Sequence, residues 1–307
     1  MVVKGIYDAE LCYDEAQETK VRKRGTVIIF PGGGYEHLSE RESTPIVRAL
    51  NEGGYRGVIL HYDVKSEILG LRPLKQAAWA VVTVKRLFPE EPVYLMGFSA
   101  GAHCAASYGV HFDDTDWYGK PFLPEVIQYL REHDAAKQET GNADEADIFL
   151  KETEGSEDHA GVSELFRVDA MILAYPVISG GEWAHRGSFQ RLLGKRETYA
   201  ERYGDTTDYD RALQWFSLEK HVHASTCPCF IWQTEPDEAV PIQNSLMFVE
   251  SCIKQGVEVE YHIFPRGVHG MSLATKEVED LGKNRITDPH IASWFPMMLR
   301  WLDEIIA

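Results

Sequence analysis

The sequence has few of the features that mark a secreted or membrane protein. Its 307 residues contain only five cysteines, an odd number scattered along the chain, which predicts no disulfide framework. No apolar stretch is long enough to span a bilayer, and residues 1–14 contain no apolar run of signal-peptide length. We therefore expect the protein to work in the reducing cytoplasm, without a membrane partner.

Basic residues are also scarce. The chain has 31 lysines and arginines against 48 aspartates and glutamates, a net charge of −17, which disfavours nucleic acid as a partner. No G-x-G-x-x-G follows a strand-like run, and no His, Glu or Cys cluster has the spacing of a catalytic metal site. We predict no dinucleotide, no other cofactor and no metal.

The negative charge is unevenly distributed. Residues 113–160 hold 14 acidic and 4 basic residues, and this segment is the one compositional boundary in the chain. No linker rich in Pro, Gly or Ser divides the sequence, and 44% apolar residues suffice for a full core. We therefore expect one domain over 1–307 that carries an acidic insertion at 113–160.

Strand-like and helix-like runs alternate through the rest of the chain, which predicts an α/β fold with a doubly wound, mostly parallel sheet. The predicted central strands cover 26–30, 55–64, 92–96, 168–178, 229–234 and 257–264. The predicted helices cover 43–50, 73–88, 188–193, 209–216, 242–254 and 291–306. In such a sheet the functional residues gather at the carboxyl ends of the strands.

The sequence Gly97-Phe98-Ser99-Ala100-Gly101 lies between an apolar strand and a helix of small residues. Strand, G-x-S-x-G and helix in this order predict a nucleophile elbow, a tight turn that exposes the serine hydroxyl above a helix N-terminus. A serine hydroxyl is a weak nucleophile, so it needs a histidine base and a carboxylate that orients the imidazole.

Three other predicted strand ends carry residues suited to such a reaction. Gly32-Gly33-Gly34 follows a buried strand and can turn unobstructed backbone N–H groups toward an anion. Glu235, Asp237 and Glu238 follow another strand, and any of the three could supply the carboxylate. His269, in a glycine-flanked loop after the next strand, is the candidate base.

Together these stretches resemble a known family. The matching segments are FPGGGYEHLSERES, YLMGFSAGAH, LAYPVIS, AHRGSFQRLLG, FSLEKHV, TEPDEAVPIQNSL and FPRGVHG. They resemble the α/β-hydrolase serine esterases of the acetylxylan-esterase-like (BD-FAE-type) branch, near the hormone-sensitive-lipase-like carboxylesterases. The resemblance covers nearly the whole chain except about 113–163, and it implies the α/β-hydrolase fold.

The resemblance also implies roles for individual residues. Ser99 matches the family's nucleophile, Asp237 its acid and His269 its base. The oxyanion-hole amides match Gly33 and Gly34 on one side and Ala100 on the other. Two positions depart from the family pattern, because Pro31 and Gln233 stand where many relatives have histidine.

Several other residues could belong to the functional site or be structural. We expect His103, one helical turn after Ser99, and His262, within a strand, to be structural. Glu182, Trp183 and His185 either line the acyl or alcohol pocket or form a surface turn, and the sequence leaves both readings open.

We therefore expect a serine carboxylesterase that hydrolyses short-chain acyl esters, in particular O-acetyl groups on carbohydrates. Its partner would be a small-molecule or oligosaccharide ester, and self-association into a homo-oligomer is left open. A peptidase or aryl-formamidase on the same three residues and a non-catalytic binding homologue are the alternatives. The insertion at 113–160 is either a lid over the pocket or an acidic appendage.

Overall fold

The computed structural model describes residues 1–13, 24–113, 123–138, 164–198 and 207–305. Within these ranges the chain forms an eight-stranded sheet in the order β1-β2-β4-β3-β5-β6-β7-β8. The strands are β1 Val2–Lys4, β2 Glu10–Cys12, β3 Thr26–Phe30, β4 Arg56–His61, β5 Val93–Phe98, β6 Ala170–Ala174, β7 Cys229–Thr234 and β8 Val259–Phe264. Strands β1 and β2 run antiparallel to their neighbours and the other six are parallel, which confirms the predicted sheet.

Helices cover both faces of the sheet. They are α1 Thr44–Glu52, α2 Arg72–Leu87, α3 Ala100–His111, α4 Leu123–Gln138, α5 Arg186–Leu193, α6 Thr207–Trp215, α7 Gln243–Gln255, α8 Pro289–Ala292 and α9 Trp294–Ile305. Successive side chains of a strand point to opposite faces, and here they enter two separate cores. Ile28 and Phe30 pack in the core that contains α2 and α3 residues, whereas Val27 and Ile29 pack in the core of α1 and α9. Burial on both faces explains why the central strands are continuous apolar runs.

Strand β6 is shorter than the sequence predicted. We expected a strand over 168–178, but it ends at Ala174 because Tyr175 adopts φ 39°, outside the extended region. The chain then turns across the carboxyl end of the sheet, where Val177 donates its backbone N–H to the carbonyl of Ser99 at 3.2 Å. The segment after β6 is thereby brought next to the elbow.

Part of the acidic insertion is an ordinary surface helix. In α4 the side chains of Leu123, Val126 and Leu130 are buried in the same apolar core as α2, and Glu125 forms an ion pair with Lys75 of α2. Apart from Asp113 and α4, residues 113–160 lie outside the described residues, so both the division of the chain and the lid stay predictions. No helix in the described ranges has the length and apolar character needed to cross a membrane.

Candidate active site

Ser99 occupies a strained turn between β5 and α3. Its backbone has φ 54° and ψ −117°, a conformation that residues other than glycine rarely adopt. A Cβ on Gly97 would lie 2.4 Å from Ala102 Cα, and a Cβ on Gly101 would lie 2.1 Å from the Phe30 carbonyl oxygen. No side chain fits at such distances, so the two glycines of the G-x-S-x-G motif are what allow this turn. The turn places Ser99 at the N-terminus of α3, at the carboxyl end of the sheet.

Three side chains from three strand-end loops form a hydrogen-bonded chain. Ser99 Oγ lies 2.8 Å from His269 Nε2, and His269 Nδ1 lies 2.7 Å from Asp237 Oδ2. The Asp237 side chain is fully buried, while the His269 side chain remains 17% exposed. The imidazole can therefore take a proton from the serine on one side while a desolvated carboxylate orients it on the other.

The surroundings of Asp237 distinguish it from its two acidic neighbours, Glu235 and Glu238, which are exposed. Asp237 Oδ1 accepts the backbone N–H groups of Ala239 at 3.0 Å and Val240 at 2.9 Å. These bonds fix the carboxylate in place, which leaves Oδ2 directed at His269. Of the three carboxylates that the residue pattern left open, that of Asp237 is thus the one bonded to the imidazole of His269.

Gln233 helps to hold this carboxylate. Its side-chain Nε2 donates to Asp237 Oδ2 at 3.3 Å and to the carbonyl of Val240 at 2.6 Å, while its Oε1 accepts from Ser245 Oγ at 2.6 Å. At the position where many relatives have histidine, a fully buried amide therefore supports the acid loop.

The loop that carries His269 is tied down on both sides. The His269 carbonyl accepts from Arg285 Nε at 3.0 Å, and the next carbonyl, that of Gly270, accepts from an Arg41 guanidinium nitrogen at 2.8 Å. The edge of the imidazole faces the Tyr175 ring, with 5.1 Å between ring centroids. These contacts position the imidazole before any ligand arrives.

The glycine loop after β3 leaves amide donors unused. Gly33 and Gly34 have φ 128° and 65°, and a Cβ on Gly33 would lie 2.2 Å from the His37 carbonyl oxygen. Among the described residues, the backbone N–H groups of Gly33, Gly34 and Ala100 have no acceptor. Gly32 differs, because its N–H is already bonded to Glu42 Oε2 at 2.9 Å. Three backbone donors, two on the glycine loop and one next to Ser99, thus have no acceptor among the described residues, and unpaired donors are what an oxyanion site requires.

Comparison with known proteins agrees with this architecture. The solved acetyl ester-xyloside bifunctional hydrolase of Caldicellulosiruptor lactoaceticus is 27% identical, with a TM-score of 0.68 over 97% of this chain and 89% of that one. The carboxylesterase Cest-2923 of Lactobacillus plantarum is 24% identical, with a TM-score of 0.68 over 99% of this chain and 96% of that one. The chain has the α/β-hydrolase fold, which confirms the predicted fold.

Two sequence likenesses cover shorter stretches. The model of the prolyl oligopeptidase family matches residues 172–284 of this chain, a range that includes Asp237 and His269 but not Ser99. Endo-1,4-beta-xylanase B of Butyrivibrio fibrisolvens is 31% identical over 263 residues, which are 83% of this chain and 34% of the xylanase. This chain thus spans about a third of the length of that curated relative.

Glu42 is a functional candidate that sequence reasoning missed. Besides the bond to Gly32, its buried carboxylate accepts from the Tyr175 hydroxyl through Oε1 at 2.7 Å. The same hydroxyl accepts the backbone N–H of Ser272 at 3.1 Å. One carboxylate therefore links the glycine loop to the segment after β6 and, through it, to the loop of His269. Nothing in the sequence distinguishes Glu42 from the exposed Glu36 and Glu40 beside it.

His103 lies close to Ser99 along the chain but does not contact its hydroxyl. The ring is fully buried, with Nδ1 accepting from the Tyr35 hydroxyl at 2.9 Å and Nε2 donating to the Phe216 carbonyl at 3.0 Å. Burial lowers the pKa of His103 to about 4, because the charged imidazolium would be desolvated. His262 bonds Glu260 at 2.6 Å on β8. Neither imidazole contacts the Ser99 hydroxyl, although the backbone N–H of His103 donates to the Ser99 carbonyl at 3.1 Å.

The structure distinguishes between the three residues whose role the sequence left open, Glu182, Trp183 and His185. Glu182 and Trp183 are exposed, whereas His185 is half-buried beside the glycine loop. Its ring carbon Cε1 lies 3.8 Å from the position that a Cβ on Gly34 would take. Burial, and next the neighbouring His269, lower the pKa of His185, so its imidazole stays neutral near pH 7. His185 therefore borders the site.

One trio of potential metal ligands occurs among the described residues, away from these loops on strands β2 and β4. Glu10, Cys12 and His61 bring one ligand atom each within 4.8 Å of the others. Glu10 already bonds the ammonium group of Lys4 at 2.6 Å, so its carboxylate has a cationic partner without a metal ion. All five cysteines are free.

Proposed function

We propose that this α/β-hydrolase is a serine carboxylesterase that removes short acyl groups, in particular O-acetyl groups, from carbohydrates. The observation that carries the proposal is the hydrogen-bonded chain Ser99–His269–Asp237, together with three backbone amides that have no acceptor in the described ranges. The carbohydrate part draws on relatives named as an acetyl ester-xyloside hydrolase and a xylanase.

Each residue has a defined role in the proposed reaction. Ser99 Oγ attacks the ester carbonyl while His269 Nε2 takes its proton, and Asp237 stabilises the imidazolium that forms. The amides of Gly33, Gly34 and Ala100 bind the oxyanion of the tetrahedral intermediate. His269 then protonates the leaving alcohol, which leaves an acyl-enzyme on Ser99. A water molecule activated by His269 attacks this acyl-enzyme and releases the carboxylate.

The second candidate is a peptidase or amidase, such as an aryl-formamidase, and the match to the prolyl oligopeptidase family favours it. That match includes the acid and the base, which both reactions use in the same way. It leaves out the glycine loop and Ser99, so it bears less on the oxyanion site. A non-catalytic binding protein is the third candidate, and the intact hydrogen-bonded chain argues against it.

The experiment is a substrate panel with wild type and Ser99→Ala. We expect wild type to hydrolyse p-nitrophenyl acetate and to release acetate from acetylated xylo-oligosaccharides faster than it cleaves peptides or formamides. Ser99→Ala should lose at least about 10⁴-fold of each activity, because the activated nucleophile is gone. Ester turnover by this variant within tenfold of wild type would contradict the proposal, and peptide or formamide cleavage that outpaces acetate release would favour the second candidate.

We also propose that 113–160 belongs to one domain with the rest of the chain. Its described helix α4 supports this, because Val126 and Leu130 are buried in the main core. Whether the remainder forms a lid stays a prediction. Replacing the segment by a short Gly/Ser loop should then change kcat/KM unequally across acyl and alcohol groups, while Ser99 still reacts with an organophosphate. A folded deletion variant with equal kcat/KM on every substrate would reduce the segment to an appendage.

A further inference from the structure

A groove with mixed polar and apolar lining begins beside the glycine loop. Its volume is about 520 Å³, and it runs between α5, the turn after β4 and the residues that follow the three glycines. Glu36, Glu67, Gln190 and Lys195 line it with exposed polar side chains, and Ile68, 44% exposed, and Leu193 supply apolar surface. A groove that offers both polar groups and apolar side chains can bind the hydroxyl groups and the ring faces of a carbohydrate.

His185 lies between this groove and the oxyanion amides. Its Cε1 atom is 3.8 Å from the position of a Cβ on Gly34 and 3.5 Å from that of a Cβ on Gly187, which lines the groove. The glycine loop also approaches the serine, because a Cβ on Gly32 would lie 3.1 Å from Ser99 Cβ. His185 thus lies between Gly34 of the glycine loop and Gly187 of the groove, whereas the contact of this loop with Ser99 is at the buried Gly32.

The hydrogen bonds of His185 fix its tautomer. Nδ1 accepts the backbone N–H of Ser188 at 3.3 Å and lies 2.8 Å from Ser188 Oγ. A backbone N–H can only donate, so Nδ1 carries no proton and the proton of the neutral ring is on Nε2. In the part of the chain that the structure describes, Nε2 has no protein partner. His185 therefore offers one oriented N–H donor to a ligand.

Arg191, one of the residues that line the groove, also braces its walls. The Arg191 guanidinium donates to the carbonyls of Tyr35, Val64, Ser66 and Glu67, at 2.8 to 3.3 Å. These four bonds tie α5 to the glycine loop and to the turn after β4. The shape of the groove is thereby set before binding.

We propose that His185 and this groove form the subsite for the alcohol part of the ester, with His185 Nε2–H donating to a sugar oxygen next to the scissile ester bond. This inference rests on the proposed function. A carbohydrate bound there would place further hydroxyl groups against Glu36, Glu67, Gln190 and Lys195, and a ring face against Ile68. The sugar residue that carries the acyl group would lie across His185, which becomes a specificity-determining residue for the alcohol.

The first test is His185→Asn, measured with an acetylated xylo-oligosaccharide and with p-nitrophenyl acetate. Asparagine keeps an acceptor for the Ser188 N–H at the N-terminus of α5 but lacks the distant N–H donor. We expect kcat/KM for the acetylated sugar to fall at least tenfold further than kcat/KM for p-nitrophenyl acetate, whose alcohol carries no sugar hydroxyl group. Equal losses on the two esters, or no loss on either, would overturn the proposal.

The second test fills the groove with Gln190→Trp. We expect KM for the acetylated oligosaccharide to rise at least fivefold, with a smaller change for p-nitrophenyl acetate. Ile253→Trp, which adds the same ring at an exposed position of α7, is the matched control and should leave both substrates unaffected. An unchanged KM for the oligosaccharide in Gln190→Trp would overturn the placement of the ligand in the groove.

A binding measurement separates this inference from the proposed function. Deacetylated xylo-oligosaccharide is titrated by calorimetry into Ser99→Ala and into Ser99→Ala/His185→Asn. We expect the oligosaccharide to bind to the first variant, and its dissociation constant for the second variant to be at least fivefold larger. If the oligosaccharide binds but wild type releases no acetate from sugars, the proposed reaction fails and the subsite stands. Acetate release without any difference in sugar binding between the two variants overturns the subsite alone.

Discussion

Two histidines are hydrogen-bonded to Ser99, one through its side chain and the other through its backbone. His269, on the loop after β8, contacts the serine hydroxyl with one ring nitrogen and the buried carboxylate of Asp237 with the other. His103, in α3 beneath the serine, bonds a tyrosine hydroxyl and a backbone carbonyl. Burial lowers the pKa of His103 to about 4. The two rings differ in their partners, although His269 contacts the Ser99 hydroxyl and His103 lies only four residues after Ser99 in the sequence.

The difference shows what makes an imidazole a base. A ring held between a hydroxyl that must lose a proton and a carboxylate that stabilises the resulting charge can accept that proton at neutral pH. A ring between neutral partners in the apolar core has no such compensation, so it stays uncharged and serves packing. The predictions below change one partner at a time, and their expected effects run from the largest to the smallest.

Asp237→Asn removes the carboxylate from His269 and makes its surroundings more like those of His103. An asparagine NH₂ group would favour the wrong imidazole tautomer, so we expect kcat to fall by roughly 10⁴. Steady-state kinetics on p-nitrophenyl acetate measure this loss.

The matched controls are Glu235→Gln and Glu238→Gln, which change exposed carboxylates on the same loop. We expect each to cost less than about threefold, because surface substitutions away from buried networks have small effects. A large loss in either control, with Asp237→Asn nearly as active as wild type, would reassign the acid.

Glu42→Gln tests the buried contact between the glycine loop and the segment after β6. The carboxylate accepts from Gly32 N–H through Oε2 and from the Tyr175 hydroxyl through Oε1, and a glutamine would put an NH₂ group, which cannot accept, in place of one of these oxygens. An unsatisfied buried donor costs about 1–3 kcal/mol, so we expect kcat to fall by roughly 5- to 150-fold if the glycine loop shifts in response.

Glu40→Gln, at an exposed position of the same segment, is the control for Glu42→Gln and should keep wild-type kcat. A folded Glu42→Gln variant with unchanged kcat would mean that the glycine loop holds its position without this carboxylate.

Sequence reasoning succeeded where the structure is built from local contacts. The elbow at Ser99 follows from a five-residue motif between a strand and a helix, although Gly101 of this motif is needed because the Phe30 carbonyl of β3 comes close. The alternating strands and helices similarly fix the parallel sheet and the edge at which its loops meet.

It failed where a contact joins distant segments. Glu42 meets Tyr175 across 133 positions of the chain, and the positive φ of Tyr175 ends β6 earlier than its apolar run predicts. His185 reaches the glycine loop only because α5 packs there through Arg191. Such contacts depend on how loops pack once the sheet has formed, and the spacing of apolar residues along the sequence does not predict them.

The smallest expected effect is on stability, and it isolates His103. Its pKa is about 4 in the folded protein and about 6.5 in an unfolded chain, so the unfolded state binds more protons between these values. The contribution of His103 to the free energy of unfolding is therefore largest above pH 6.5 and decreases as the pH falls toward 4. From pH 7 to pH 5 this group alone should cost about 2 kcal/mol. His103→Gln, which cannot titrate, should lack this part of the pH dependence even if it is less stable at pH 7. Urea unfolding of both proteins at the two pH values gives the comparison, in which all other titrating groups cancel. An equal decrease in the stability of the two proteins would mean that folding does not lower the pKa of His103. The proposed difference between His103 and His269 would then be wrong.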